Sequence, residues 1–191
     1  MPKPPNAESG RGPHGAESGR GPHATASVLE RATVPLDLTE SEFRLAQDLL
    51  FFGYRDFTKA ADVILEELGL GRAHHRALHF IGRNPGISVS GLLAILRITK
   101  QSLARVLASL MDQGYVGQAP GYEDRRQRLL TLTRKGQALE RRLFESQCAR
   151  IAPAYRNAGG AGVDGFRKVM RGIMSEGARA YLDGIGTAED T

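Results

Sequence analysis

The sequence predicts a mainly α-helical protein with a small β-wing: a winged helix-turn-helix flanked by long N- and C-terminal dimerisation helices. Three observations carry that expectation. Apolar residues recur at helical spacing over about 39–68, 134–157 and 163–183, as amphipathic helices require. Between them, a short helix after Ser88 and a second helix after Thr99 are separated by a tight turn. Two β-prone runs follow, Tyr115-Val116 and Leu129-Leu130-Thr131-Leu132, with a charged tip between them that reads as a hairpin pushed into solvent.

Taken in order, residues 1–38 form a tail. Residues 1–27 are built from Gly, Pro, Ser, His and charged residues and hold a tandem AESGRGPH repeat at 7–14 and 16–23. So little apolar surface cannot offset chain entropy, so disorder is expected, and two copies are too few for a solenoid. Thr39-Glu40-Ser41-Glu42 is a capping box that opens the N-terminal helix segment, 39–71. Its apolar positions run from Phe43 to Leu68, and Gly69 stops it. Long terminal helices of this kind often bury part of their stripe against a second chain.

The winged helix-turn-helix segment is 72–136. A helix over 72–83 ends at Asn84-Pro85-Gly86, and Ser88 caps the short helix carrying Leu92, Leu93 and Leu96. Thr99 caps the next, whose Leu103, Val106, Leu107 and Leu110 form one buried face before Gly114 ends it. The remaining segment, 137–191, holds the C-terminal helices and a tail. Thr133 caps a helix over 134–157 with Leu139, Leu143, Phe144 and Ile151 as its stripe, and Pro153 is expected to kink or shorten its end. Residues 158–162 read as a loop, and a final helix over 163–183 is expected to bury Phe166, Val169, Met170, Ile173, Met174 and Tyr181.

Composition narrows the function. The 191 residues are 41% hydrophobic, enough for one core, with no apolar run long enough to span a membrane and no apolar leader at the N-terminus. Cys148 is the only cysteine, which excludes an internal disulfide and suits a reducing cytoplasm, the expected location. The net charge of +5 is unevenly placed. Residues 1–71 carry 7 Lys+Arg against 11 Asp+Glu, net −4; residues 72–136 carry 11 against 3, net +8; residues 137–191 carry 8 against 7, net +1. A basic block between acidic or neutral flanks is the footprint of a nucleic-acid-binding module, although a solvated basic surface would look the same.

The exposed face of the 99–113 helix carries Lys100, Gln101, Ser102 and Arg105 near its N-terminus. Lys, Gln and Arg read base edges in a major groove, and the helix's first amides can donate to phosphate. The hairpin tip, with Asp124, Arg125, Arg126 and Arg128, is then a wing reaching the DNA backbone or minor groove.

The run ITKQSLARVLASLMDQGYV, 98–116, followed by EDRRQRLLTLTRKG, resembles the MarR family of bacterial winged-helix regulators. Its wing signature of Asp, any residue, Arg, then an apolar strand ending Leu-Thr-x-x-Gly is met by Asp124, Arg126, Leu132, Thr133 and Gly136. The resemblance covers about residues 40–183 and looks nearest to a PetP-like alphaproteobacterial subgroup. It implies a homodimer joined through its first and last helices, palindromic double-stranded operator DNA as partner, and repression relieved by a small ligand, a metal or an oxidant. It further implies that Thr99, Lys100, Gln101, Ser102 and Arg105 face the major groove. Arg126 would enter the minor groove with its guanidinium fixed by Asp124, and Arg125 or Arg128 would lie near phosphates. Ala104 stands where the family often has Ser or Thr, and Gly91 weakens the short helix by about 1 kcal/mol relative to Ala. Both bear on affinity and operator sequence.

Competing readings remain at this stage. His75 and His79 share a helical face and are weak metal candidates, but zinc wants three or four ligands and no motif supplies them. Cys148, beside Arg150, is a weak redox candidate. Phe51, Phe52, Tyr54 and Phe57 suit a core or dimer cluster, or a ligand pocket wall. No cofactor is implied beyond an unidentified small-molecule effector. An enzyme lacks its parts, since no phosphate-cradling glycine loop, HExxH or Gly-x-Ser-x-Gly elbow is present. A winged-helix interaction protein, an activator, or a metal or haem sensor with conditional DNA binding are the alternatives to a repressor.

Overall fold

The computed structural model describes residues 38–189 except Tyr122, Glu123 and Arg125. The tandem repeat and Arg125 therefore lie outside the described residues. The chain divides into two compact units, Met1–Phe43 and Arg44–Thr191. The described part of the first is the expected capping box: the Thr39 amide donates to the Glu42 carboxylate at 2.7 Å, and the Glu42 amide to Thr39 Oγ1 at 3.4 Å. It opens helix α1, Glu40–Glu67.

Only the C-terminal half of α1 is covered, through Thr58, Ala61, Ile64 and Leu65. Leu45, Leu49, Leu50, Phe51, Phe52 and Tyr54 are exposed. The corner into helix α2 (Arg72–Arg83) is fixed by Arg72, whose Nε and Nη2 donate to Asp62 at 3.0 and 2.7 Å. At that corner the Gly71 amide donates to His74 Nδ1 at 3.1 Å, so this histidine caps the helix. Asn84-Pro85-Gly86 then turns the chain into strand β1, Ile87–Ser88, and the Gly86 amide donates to the Leu130 carbonyl at 2.9 Å. The sequence gives no sign of β1, because two residues are too few to show alternation.

Helix α3 (Val89–Leu96) is capped by Ser88, whose Oγ accepts from the Gly91 amide at 3.0 Å. Arg97 ends it in the left-handed region at φ 50°, the only non-glycine there among the described residues. Helix α4 (Lys100–Asp112) follows, then strands β2 (Val116–Pro120) and β3 (Arg128–Leu132), paired antiparallel from Val116↔Leu132 to Pro120↔Arg128. The sheet order is β1-β3-β2, so the wing is three-stranded. One core joins the end of α1, α2, α3, α4, Val116 and Leu130, and closes on Leu139 and Leu143 of α5.

Helix α5, Arg134–Ile173, differs from the expectation in three ways. Pro153 lies inside it without ending it; the residue is exposed, so water can serve the carbonyl it leaves unpaired. The expected loop over 158–162 is confined to Gly159, where φ 67° and ψ 175° break the helix at one residue. The expected last helix is itself interrupted, since α5 stops at Ile173 and α6 runs Glu176–Glu189. Phe144, Phe166, Val169 and Ile173 were expected inside but are exposed, while Met170, Met174 and Tyr181 are half-buried. Periodicity correctly marks these positions as one apolar stripe, yet past Leu143 the winged-helix core has no surface left to cover them. Among the described residues no helix is long and apolar enough to cross a membrane.

Candidate nucleic-acid interface

Helix α4 is set by its buried face. Leu103, Val106, Leu107 and Leu110 point into the core, which leaves Lys100, Gln101, Ser102 and Arg105 exposed. Its first turn is shaped by a hydroxyl pair: Thr99 Oγ1 accepts from the Ser102 amide at 3.1 Å and donates to Ser102 Oγ at 2.9 Å. The Ser102 hydroxyl proton stays available to an outside acceptor. Thr99 is therefore first a cap, with a typical worth of about 1 kcal/mol.

At the wing tip, Asp124 Oδ1 accepts from the Arg126 backbone amide at 2.9 Å, and the Asp124 carbonyl accepts from the Gln127 amide at 3.0 Å. The carboxylate thus shapes the turn and does not hold the Arg126 guanidinium, as the resemblance had implied. Arg126 and Arg128 are exposed. No hydrogen bond or ion pair joins the tip to α4 among the described residues, so the candidate residues form two separate groups.

Six exposed cations of this region have no carboxylate matched to them among the described residues. Lys100, Arg105, Arg126 and Arg128 form no ion pair among the described residues, and neither do exposed Arg97 and Arg134. Elsewhere Arg55, Arg72, Arg141, Arg142, Arg167 and Arg171 are each matched to a carboxylate, with Arg72–Asp62 at 2.7 Å and Arg142–Glu67 at 3.1 Å. Exposed Lys59, Arg76, Arg150, Arg156 and Lys168 form no ion pair among the described residues either, so what marks this region is the gathering of such cations with few acids around them. An unmatched surface cation keeps its field for an external anion. Arg97 and Arg134 escaped the sequence reading because both sit at helix borders, outside the α4 face and the wing tip.

The end of the wing signature is mechanical. Thr133 caps α5, accepting from the Gly136 amide at 3.1 Å and donating to the Gly114 carbonyl at 2.7 Å. Its own amide donates to the Tyr115 carbonyl at 3.0 Å. Lys135 Nζ donates to the Gln113 carbonyl at 2.8 Å and lies 4.5 Å from the centre of the Tyr115 ring. Gly136 packs so closely that a Cβ there would overlap the Tyr115 carbonyl oxygen. Thr133, Lys135 and Gly136 therefore fasten the end of α4 to the start of α5.

A cleft of about 430 Å³ opens at the foot of the wing, lined by Ile81, Gly82, Pro85, Leu132, Gln137, Glu140 and Arg141. Burial raises the Glu140 pKa, and His79 Nδ1 lies 3.8 Å from its carboxylate. Burial lowers both His75 and His79, which favours their neutral forms. Among the described residues no cluster of three or more potential metal ligands gathers around them. Cys148 is a half-buried free thiol on α5.

A family model described as MarR family matches residues 68–127, from the end of the α1 segment to the wing tip. The HTH-type transcriptional regulator PetP of Rhodobacter capsulatus is 46% identical over 154 residues, covering 81% of this chain and 93% of that protein. Among solved structures, Streptococcus pneumoniae FabT in complex with DNA superposes with a TM-score of 0.62 at 17% identity, over 75% of this chain and 99% of that one. A mutant MarR from E. coli complexed with operator DNA gives 0.57 at 20% identity, over 73% and 100%. The two structures share the fold, and the PetP likeness reaches beyond the winged helix into both flanking regions. The chain belongs to the MarR family of winged-helix transcriptional regulators, which are DNA-binding proteins and not enzymes.

Proposed function

We propose that the protein is a homodimeric, sequence-specific repressor that holds palindromic operator DNA and releases it on binding a small ligand or on a redox or metal signal. The observation that carries the DNA-binding part is the set of exposed, unpaired cations on α4, its preceding turn and the wing. Lys100, Gln101, Ser102 and Arg105 would meet base edges and phosphates of the major groove, and Arg126 and Arg128 the neighbouring backbone or minor groove.

The dimer is supported by the unpartnered apolar stripes of α1 and α5, including Phe51, Phe52, Phe166 and Val169. Large apolar side chains left exposed along a helix point to a protein interface. A dimer reading a palindrome must set two recognition helices about 34–36 Å apart. The cleft at the wing foot supports ligand release, because an occupant there touches Leu132 of β3 and Pro85 before β1. It needs only a different affinity for the two arrangements to shift occupancy.

The test is fluorescence anisotropy on labelled duplex from the region upstream of the protein's own gene, across a salt series, with random DNA as competitor. Competitor-resistant binding is expected, with log K falling by about 0.9 per decade of salt for each phosphate neutralised. Equal affinity for random DNA would reduce the cations to a non-specific surface, and no binding at low salt would sink the reading in favour of an interaction protein. Sizing by light scattering is expected to return twice the 20.7 kDa chain mass. A monomer at micromolar concentration would overturn the dimer.

A further inference from the structure

We infer that Tyr181 of α6 is a positioning residue for the DNA-binding head, acting through Asn84 on the joint from which both the helix-turn-helix and the inner wing strand start. The inference rests on the DNA-binding reading above and names a part of the chain that this reading leaves idle.

Asn84 caps α2 and stands three residues before β1. Its Nδ2 donates to the Phe80 carbonyl at 2.8 Å and to the Tyr181 hydroxyl at 2.8 Å, so one amide ties the last turn of α2 to α6 across 97 residues of chain. The Phe80 ring meets the Tyr181 ring edge-on, with centroids 5.6 Å apart. The next residues from that joint are already in the sheet, through the Gly86 amide on the Leu130 carbonyl of β3.

A second approach lies one helical turn away on α6. The Arg97 guanidinium comes within 3.4 Å of where a Cβ on Gly177 would stand. Arg97 is the left-handed residue that ends α3, two positions before the Thr99 cap of the recognition helix. Helix α6 therefore meets the head at the turn before α3 and at the turn after it. The α6 end is in turn tied to α5 by the Arg171–Asp183 ion pair. A movement of the C-terminal helices would thus reach the recognition helix directly, beside the route through the covalent link at Thr133.

The test uses the full chain and the same upstream duplex. Tyr181→Phe keeps the ring and removes the hydroxyl; it is expected to weaken operator binding about fivefold. The salt slope and the dimer mass should be unchanged, because no phosphate contact is lost. In an Asn84→Ala background the same change is expected to have no further effect, since the bond is already gone. Hydrogen exchange, which needs no DNA, is expected to quicken at 84–88 and 97–103 in Tyr181→Phe alone. This second measurement decides the matter if Asn84→Ala fails to fold. Unchanged exchange, or an equal loss of affinity in both backgrounds, would overturn the positioning role. Wild-type protein that fails to bind DNA would instead sink the reading it rests on, whereas wild-type binding with a silent Tyr181→Phe sinks only this inference.

Discussion

Gly136→Ala is expected to destabilise the protein by about 2–4 kcal/mol, the range for forcing extra volume into a tight site while disturbing a helix cap. The new Cβ would overlap the Tyr115 carbonyl oxygen, which is backbone and cannot swing aside. Relief requires α5 to back away from the end of α4. That movement strains the Thr133 amide to Tyr115 carbonyl bond at 3.0 Å and the Gly136 amide to Thr133 Oγ1 bond at 3.1 Å. It also loosens Leu139 and Leu143, which close the core. Chemical denaturation reads the loss directly, and in a chain of this size thermal melting should drop by about 5–15 °C. An unchanged midpoint would mean that α5 can back away from Tyr115 without cost, and that the glycine of the wing signature serves something other than packing.

Much of the fold was legible because local chemistry and tertiary packing agree. The Thr39, Ser88, Thr99 and Thr133 caps, the breaker at Asn84-Pro85-Gly86 and the Leu103–Leu110 face each depend on neighbours a few residues away. The missed features depend on partners far along the chain. Strand β1 exists because Gly86 finds Leu130, and no pattern in Ile87-Ser88 announces it. The Phe166–Met174 stripe shows which face is apolar but not what covers it, so its exposure in one chain could not be read from spacing. At the wing, the resemblance implied that Asp124 fixes the Arg126 guanidinium, whereas Asp124 bonds the Arg126 backbone amide. A short acidic side chain at that spacing reaches the backbone amide of a turn more readily than the end of a long arginine. Asn84–Tyr181 and Arg97–Gly177 had no sequence signal at all, since each partner also has an ordinary local explanation as turn or helix residue.

The double variant Arg105→Glu with Arg126→Ala is expected to abolish specific DNA binding while leaving the fold intact. Each arginine, if it contacts a base edge or phosphate, is worth about 1–3 kcal/mol. The two lie on separate elements with no bond between them, so their losses should add, to about 2–6 kcal/mol, a factor of roughly 30 to 10⁴ in affinity. Stability should move by less than about 0.5 kcal/mol, because both side chains are exposed and neither has an ion pair to lose. The single variants then separate two roles for the wing. If Arg126 neutralises a phosphate, Arg126→Ala weakens operator and random duplex alike and reduces the salt slope by about 0.9. If it reads the minor groove, the loss falls mainly on the operator and the specificity ratio drops with it. Asp124→Ala gives a third bearing on the same question. It frees the Arg126 amide without removing the guanidinium, so it should weaken binding less than Arg126→Ala and leave the slope in place. A double variant that still bound the operator tightly would show that α4 and the wing do not carry recognition, and that the unpaired cations answer to another anion.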